Sequence, residues 1–298
     1  PFTLLVPACG MFAGSMIALG ADPKWQWEGS SSTVELALKI VAGALMAAAL
    51  NGFSNGINQI FDIEVDRVNK PHRLLPSNRM TVQEAWAVSL FCLIVSLGLA
   101  AWINWQCFSL VCIAALLTYI YSAPPLRTKC RGFLANVTIA IPRGTLLIIA
   151  GWTTVKSALR PEPWYIGLIF GLFFLGAVTT KDFSDMEGDK HTNCRTLPII
   201  YGTRRAIQII SPFLILPFLA IVPLAIGGLL EGNTWLLTLL GILLASWGGY
   251  ICYLLLDNPP LTSSPGSQIA IENHPSWKHM YLLTTLAQLG FAAAYLIR

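Results

Sequence analysis

Residues 38–66 read LKIVAGALMAAALNGFSNGINQIFDIEVD, an apolar run that ends in three acids within five positions. Residues 38–61 carry one charge, Lys39, and so form a stretch long enough to cross a bilayer, which takes about 20 apolar residues as a helix. Asn51, Asn55, Asn58, Asp62 and Asp66 follow one another at spacings of 4, 3, 4 and 4, which stacks them on one stripe of that helix. A membrane helix with amides on one stripe and acids at its end needs a polar partner.

The rest of the chain has the same character. Of its 298 residues 55% are hydrophobic and 11% are charged, against about 25% charged in a soluble domain. This composition excludes an ordinary soluble enzyme and predicts one integral-membrane domain over residues 1–298. Nine transmembrane helices are expected, near 1–20, 35–60, 83–103, 107–122, 134–155, 163–181, 206–229, 234–256 and 277–297, in one all-α bundle. Thirteen Lys and Arg fall in the loops after helices 2, 4, 6 and 8, and three, Lys24, Lys156 and Arg160, in the opposite loops. That asymmetry predicts cytoplasmic even loops, a cytoplasmic N-terminus and an outside C-terminus. Trp25, Trp27, Trp102, Trp105, Trp152, Trp164 and Trp235 lie near the odd loops, as an outer aromatic belt would. The net charge of +4 thus reflects sidedness and gives no sign of a nucleic-acid partner. The first helix lacks the basic leader of a signal peptide. The seven cysteines form no C-x-x-C pair and are expected to pack as apolar residues, and the four histidines lack zinc-type spacing.

Seven of the fifteen acids sit in two short segments, DIEVD at 62–66 and KDFSDMEGDK at 181–190. In the second, Asp182, Asp185 and Asp189 again share a helical stripe. Each segment is followed by a basic residue, a short polar stretch and Arg-x-Leu-Pro, at Arg73–Pro76 and Arg195–Pro198. The recurrence predicts two four-helix pseudo-repeats with helix 9 left over.

Stacked carboxylates at a membrane edge repel one another and lose hydration, so a cation is expected between them. Oxygen donors suit hard ions, and Mg²⁺ binds through one or two carboxylates together with substrate phosphates. Arg67, Lys70, Arg73, Lys129, Lys190 and Arg195 are placed to bind phosphate oxygens. A lipid bilayer around the helices and a polyanion at their ends together point to an isoprenyl diphosphate. Metal and cations would stabilise its leaving group. Tyr119 and Tyr121, with Asn51 or Asn55, would shield the allylic cation. Two other readings use the same acids: a secondary transporter or divalent-cation carrier, and a membrane prenyl-diphosphate phosphatase.

The patterns Asn58-x-x-x-Asp62-x-x-x-Asp66 and Asp182-x-x-Asp185-x-x-x-Asp189, with YSAPPLRTK at 121–129, resemble the signatures of the UbiA superfamily of intramembrane prenyltransferases. The resemblance implies nine helices and Mg²⁺-dependent transfer of a prenyl chain to an aromatic or lipophilic acceptor. It gives metal roles to Asn58, Asp62, Asp66, Asp182, Asp185 and Asp189, and a diphosphate role to Lys129. Gln59 stands where many members have Asp, and the chain opens at PFTLLVP, where relatives have an Arg before the Pro.

Arg143, in IAIPRGTLL, places a cation inside helix 5, seven residues after Asn136. It is expected to contact an anionic substrate or a motif carboxylate, with a structural interhelical pair as the other reading. Pro142 would free a carbonyl beside it. Tyr119 and Tyr121 serve equally as interfacial anchors. The stretch 257–276 reads as a polar loop that joins helices 8 and 9 or caps the entrance.

Overall fold

A computed structural model describes residues 2–21, 32–257 and 275–297. Among these residues the chain is all helix, apart from one isolated parallel bridge between Arg131 and Arg195. In order come α1 (Phe2–Gly20), α2 (Thr33–Phe61), α3 (Ile63–Asn69), α4 (Val82–Ile103), α5 (Trp105–Ser122), α6 (Phe133–Ala140), a π-helical turn (Ile141–Leu146) and α7 (Leu147–Thr153). The second half holds α8 (Glu162–Ala177), α9 (Thr179–His191), α10 (Leu197–Tyr201), α11 (Thr203–Leu219), α12 (Ile221–Ile226), α13 (Thr234–Asp257) and α14 (Pro275–Leu296).

Helices occupy all nine expected positions. Seven of the described helices are long and apolar enough to cross a membrane, counting α6 to α7, α8 with the start of α9, and α11 to α12 as single spans. The shorter apolar stretch Leu5–Gly20 and the final helix, Pro275–Leu296, fall outside that set. The large apolar residues on the outside, such as Leu38, Val41 and Leu45 of α2 and Phe91 and Ile94 of α4, are more than half exposed. Such a surface is stable only against lipid, and the protein is an integral membrane protein.

Local chemistry sets the helix ends. Thr81 and Glu84 form a reciprocal capping box that starts α4, and Asn104 accepts from the Cys107 amide at 2.8 Å to restart the chain as α5. Inside, two glycine contacts bring backbones together, because a Cβ on Gly151 would lie 2.3 Å from the Met11 carbonyl and one on Gly144 2.7 Å from Gly171. These fix α7 against α1 and the π turn against α8, the close approach that small residues permit between membrane helices. The larger apolar core packs α1, α7 and α8 with α11, α13 and α14, and a smaller one lies between α1, α2, α4, α5 and α7.

Two expectations need correction. Trp152 is fully buried in the larger core and donates to the Ser157 carbonyl at 3.2 Å, so it is no belt residue. Trp102, Trp105, Trp164 and Trp235 are exposed, whereas Trp25 and Trp27 lie outside the described residues. Cys130 and Cys194 are not packing residues but a disulfide, joining chain segments 64 residues apart. Sequence spacing hid the pair because its halves come from separate loops. Most of the stretch 257–276 also lies outside the described residues.

At the end of the bundle away from the acid segments, the Glu162 carboxylate accepts from the Tyr295 hydroxyl at 2.5 Å and from the Glu231 amide at 2.8 Å. Arg160 pairs with Glu231 at 2.9 Å. This buried network ties the start of α8 to the end of α14.

Candidate active site

The amide and acid stripe of α2 survives a break in the helix. Asp62 leaves helical geometry between α2 and α3, yet the Asp66 amide still donates to the Asp62 carbonyl at 2.7 Å, so the acids keep their register. The carbonyl of Phe61 at the break is taken by the Arg127 guanidinium at 3.1 Å. Arg127 itself lies in the left-handed region, with φ of 36°. That places one side chain where it serves both the Phe61 carbonyl and the Asp62 carboxylate, the latter at 3.3 Å.

Asp62 is buried and receives three donors: Asn58 at 2.7 Å, Arg127, and the Lys129 ammonium in a very short contact. Asp66, also buried, is held by Arg73, whose Nη1 lies 2.7 and 3.0 Å from its two oxygens. Burial pushes the Asp66 carboxyl above its ordinary range, with Arg73 opposing.

The second ridge faces the first. Lys70, just beyond α3, donates to Asp185 of α9 at 2.7 Å, and Lys181 approaches the other Asp185 oxygen at 3.7 Å. Burial alone would raise the Asp185 carboxyl, but Lys181 and Lys70 overcome it and hold the group down at about 2. Asp189 is pushed up to about 7, first by burial and then by Asp185 and Asp62, against the pull of Lys129. Its one side-chain hydrogen-bond partner among the described residues is the Thr196 hydroxyl, at 3.5 Å. Asp182 is half-buried on the same helix.

The disulfide lies beside this mouth. Cys130 directly follows Lys129, and the Cys194 amide donates to the Asp189 carbonyl at 2.8 Å. Next to it Arg195 N–H donates to the Cys130 carbonyl at 3.2 Å and Gly132 N–H to the Arg195 carbonyl at 2.7 Å.

Beneath the two ridges runs a cavity of about 780 Å³. Its mouth is lined by Lys70, His72, Arg73 and Lys181, its middle by Asn51, Ser54, Asn55, Asn58, Gln59, Thr118, Tyr121 and Arg143. Its deep part is apolar, with Met46, Leu110, Ala114, Leu146 and Ala150. Among the expected site residues, Asn51, Asn55, Asn58, Lys70, Arg73, Tyr121 and Arg143 therefore meet at one space, and Lys129 joins them through Asp62. Tyr119 is elsewhere. It faces a separate outer groove, with its ring edge-on to Phe61 at 6.4 Å, because the two tyrosines are two residues apart on a helix and point to different sides. Arg67 pairs with Glu64 at the exposed surface, and Lys190 and Arg195 present exposed side chains outside the cavity.

Four contributors were not among the expected site residues. Lys181 has a sequence signal, its i,i+4 spacing to Asp185. Arg127 has only its place within YSAPPLRTK, since the left-handed turn that aims it is invisible in sequence. Trp277 and Tyr281 line the cavity from α14, brought there by the closure of the bundle.

The donor set can be tested against a divalent ion. Among the described residues no three His, Cys, Asp or Glu side chains form a closed metal site. Lys70, Arg73, Arg127, Lys129 and Lys181 form ion pairs with Asp62, Asp66 and Asp185, and Asp182 and Asp189 add two further carboxylates to the mouth. A polyanionic head entering a mouth whose cations are already paired with carboxylates needs divalent cations with it. All-oxygen donors that do not close on one point fit Mg²⁺ shared with substrate phosphates.

Residues 8–265 match the model of the UbiA prenyltransferase family. The chain is 33% identical over 171 residues to digeranylgeranylglyceryl phosphate synthase of Methanosphaera stadtmanae, covering 57% of this chain and 61% of that protein. It is 35% identical over 198 residues to the chloroplastic homogentisate solanesyltransferase of Arabidopsis thaliana, covering 64% and 51%. The matched part thus spans less than two thirds of either relative. A UbiA homologue from Archaeoglobus fulgidus, solved bound to DMAPP and Mg²⁺, superposes with a TM-score of 0.68 at 19% identity, over 100% of this chain and 99% of that one. At that identity the likeness is one of fold.

Proposed function

The chain belongs to the UbiA prenyltransferase family, and from that premise we propose that it transfers a prenyl group from an isoprenyl diphosphate to an aromatic or lipid acceptor inside the membrane, with Mg²⁺. The observation that carries this reading is the meeting of two acidic ridges, joined by Lys70 and Asp185 at 2.7 Å, over a cavity that is charged at its mouth and apolar at depth. Such a space takes a molecule with a polyanionic head and a hydrocarbon tail.

Asp62, Asp66, Asp182, Asp185 and Asp189, with Asn58, would hold Mg²⁺, which when bound with the diphosphate neutralises charge on the leaving group. Lys70, Arg73, Arg127, Lys129 and Lys181 bind the non-bridging oxygens and strengthen their hold as charge accumulates on C–O cleavage. Asn51, Asn55 and the Tyr121 ring line the zone below, where amide and ring dipoles stabilise the allylic cation. The apolar depth excludes water from that cation and orients the tail. We place the ridges at the cytoplasmic face, from the excess of Lys and Arg in their loops. The recurrence of the acid motifs supports a duplicated four-helix origin for the two halves.

Purified protein with radiolabelled geranylgeranyl diphosphate, Mg²⁺ and a panel of acceptors tests the proposal. Transfer to at least one acceptor is expected, and its loss in Asp62→Ala and Asp185→Ala. Release of prenol whatever the acceptor supports a phosphatase instead. A transporter is disfavoured by acids that sit at the ends of their spans and pair with five cations.

A further inference from the structure

Of the Lys and Arg side chains lining the cavity among the described residues, Lys70, Arg73 and Lys181 are ion-paired to ridge carboxylates and Arg143 is not. It is the eleventh residue of the span Phe133–Thr153, about 15 Å along the helix from its start and near the middle of the hydrocarbon core. The π turn Ile141–Leu146, with Pro142 in its first turn, inserts an extra residue there, and the side chain is exposed to the cavity. It makes no hydrogen bond or ion pair among the described residues and lies within Coulombic reach of Tyr121. Among the described residues it pairs neither with a motif carboxylate, the pairing expected from sequence, nor with another helix. An unpaired guanidinium at this depth is costly, and a bundle keeps one where an anion arrives to meet it.

That anion is not the diphosphate. Five cations already surround the mouth, Lys70 and Arg73 from the turn after α3, Arg127 and Lys129 from the turn before α6, and Lys181 from α9. Arg143, at mid-span, shares the cavity wall with the amides of α2 and the apolar residues Leu146 and Ala150. With a donor head at the mouth and its tail at depth, the volume beside Arg143 is left for the second substrate. We propose that Arg143 is the specificity-determining anchor for an acceptor that carries an oxyanion, a carboxylate or a phosphate, and that seats this group bidentately on the guanidinium. The anchored anion sets which atom of the acceptor faces the allylic carbon. The inference rests on the prenyl-transfer reading and adds to it the acceptor's chemical class.

The test uses matched pairs in the full-length protein with geranylgeranyl diphosphate and Mg²⁺. One pair is a phenol with an acetic-acid side chain and its methyl ester, and the other is a monoalkylglycerol phosphate and the monoalkylglycerol. Wild type should favour the charged member of one pair, which also tells carboxylate from phosphate. Arg143→Gln should raise KM for that acceptor by roughly 10- to 150-fold, the range of a lost charged hydrogen bond, with KM for the donor unchanged. Arg143→Lys, which keeps the charge without the fork, should recover part of the loss. Neutral acceptors used as well as anions, or a raised donor KM in Arg143→Gln, overturn the assignment. If no acceptor is prenylated, the transfer reading fails. Calorimetric binding of the carboxylate and phosphate probes to wild type and Arg143→Gln then still decides the anion site, since equal binding by both proteins refutes it.

Discussion

The convergence of the two ridges rests on Lys70 and Asp185, and a double-mutant cycle between them measures it. Their side chains are 6% and 16% exposed and their polar atoms 2.7 Å apart. With an effective dielectric constant of about 20, unit charges at that distance attract by roughly 6 kcal/mol. Desolvation of both groups removes much of this. Lys181, at 3.7 Å on the other side of Asp185, shares the remainder. A charged hydrogen bond of this kind retains about 1.5–3 kcal/mol. Lys70→Met and Asp185→Asn should therefore each lower stability in detergent micelles by about 2 kcal/mol, and the double variant by little more than either. The coupling of about 2 kcal/mol is read from unfolding of all four proteins in the absence of donor and metal. Additivity within about 0.5 kcal/mol, the behaviour of distant sites, would refute the claim that the ridges meet.

Three further outcomes follow from the packing. Dithiothreitol or Cys130→Ser should lower stability by up to about 4 kcal/mol for a loop closed across 64 residues; Cys130→Ser should then no longer respond to reductant, whereas Cys92→Ser, at a free cysteine, should match wild type with and without it. Gly151→Ala should cost about 1–3 kcal/mol, since its Cβ would meet the Met11 carbonyl at 2.3 Å, whereas Gly98→Ala, with nothing within 4 Å, should be neutral or stabilising by up to about 1 kcal/mol in the same assay. Glu162→Ala strands the Tyr295 hydroxyl and the Glu231 amide and should destabilise by about 2–4 kcal/mol; Glu162→Gln, which keeps the acceptor oxygen, should cost less, and equal losses would show that the network does not depend on it.

The helices were legible in the sequence because bilayer-length apolar runs and Lys and Arg asymmetry are one-dimensional signals. The acid stripes were legible for the same reason, since spacings of three and four residues encode a face whichever way the helix later bends. Nothing local encoded the pairings between loops: Cys130 with Cys194, Lys70 with Asp185, and Arg127 with the Phe61 carbonyl each join segments that the bundle alone brings together. Composition misplaced Trp152, because a tryptophan at a helix end serves equally as a core filler or an interfacial anchor. It could not separate Tyr119 from Tyr121 either, where helix rotation decides which ring sees the cavity.

The rim of the cavity is stiffened unevenly. One side, the turn carrying Lys129 and the strip from Asp189 to Arg195, is welded by a covalent link and two main-chain hydrogen bonds into a single brace. The other side, α3, is hinged at Asp62 and latched to α9 by the Lys70 ammonium. Any widening of the rim for a bulky head would have to break ion pairs on the α3 side, whereas widening on the braced side would have to break a covalent bond.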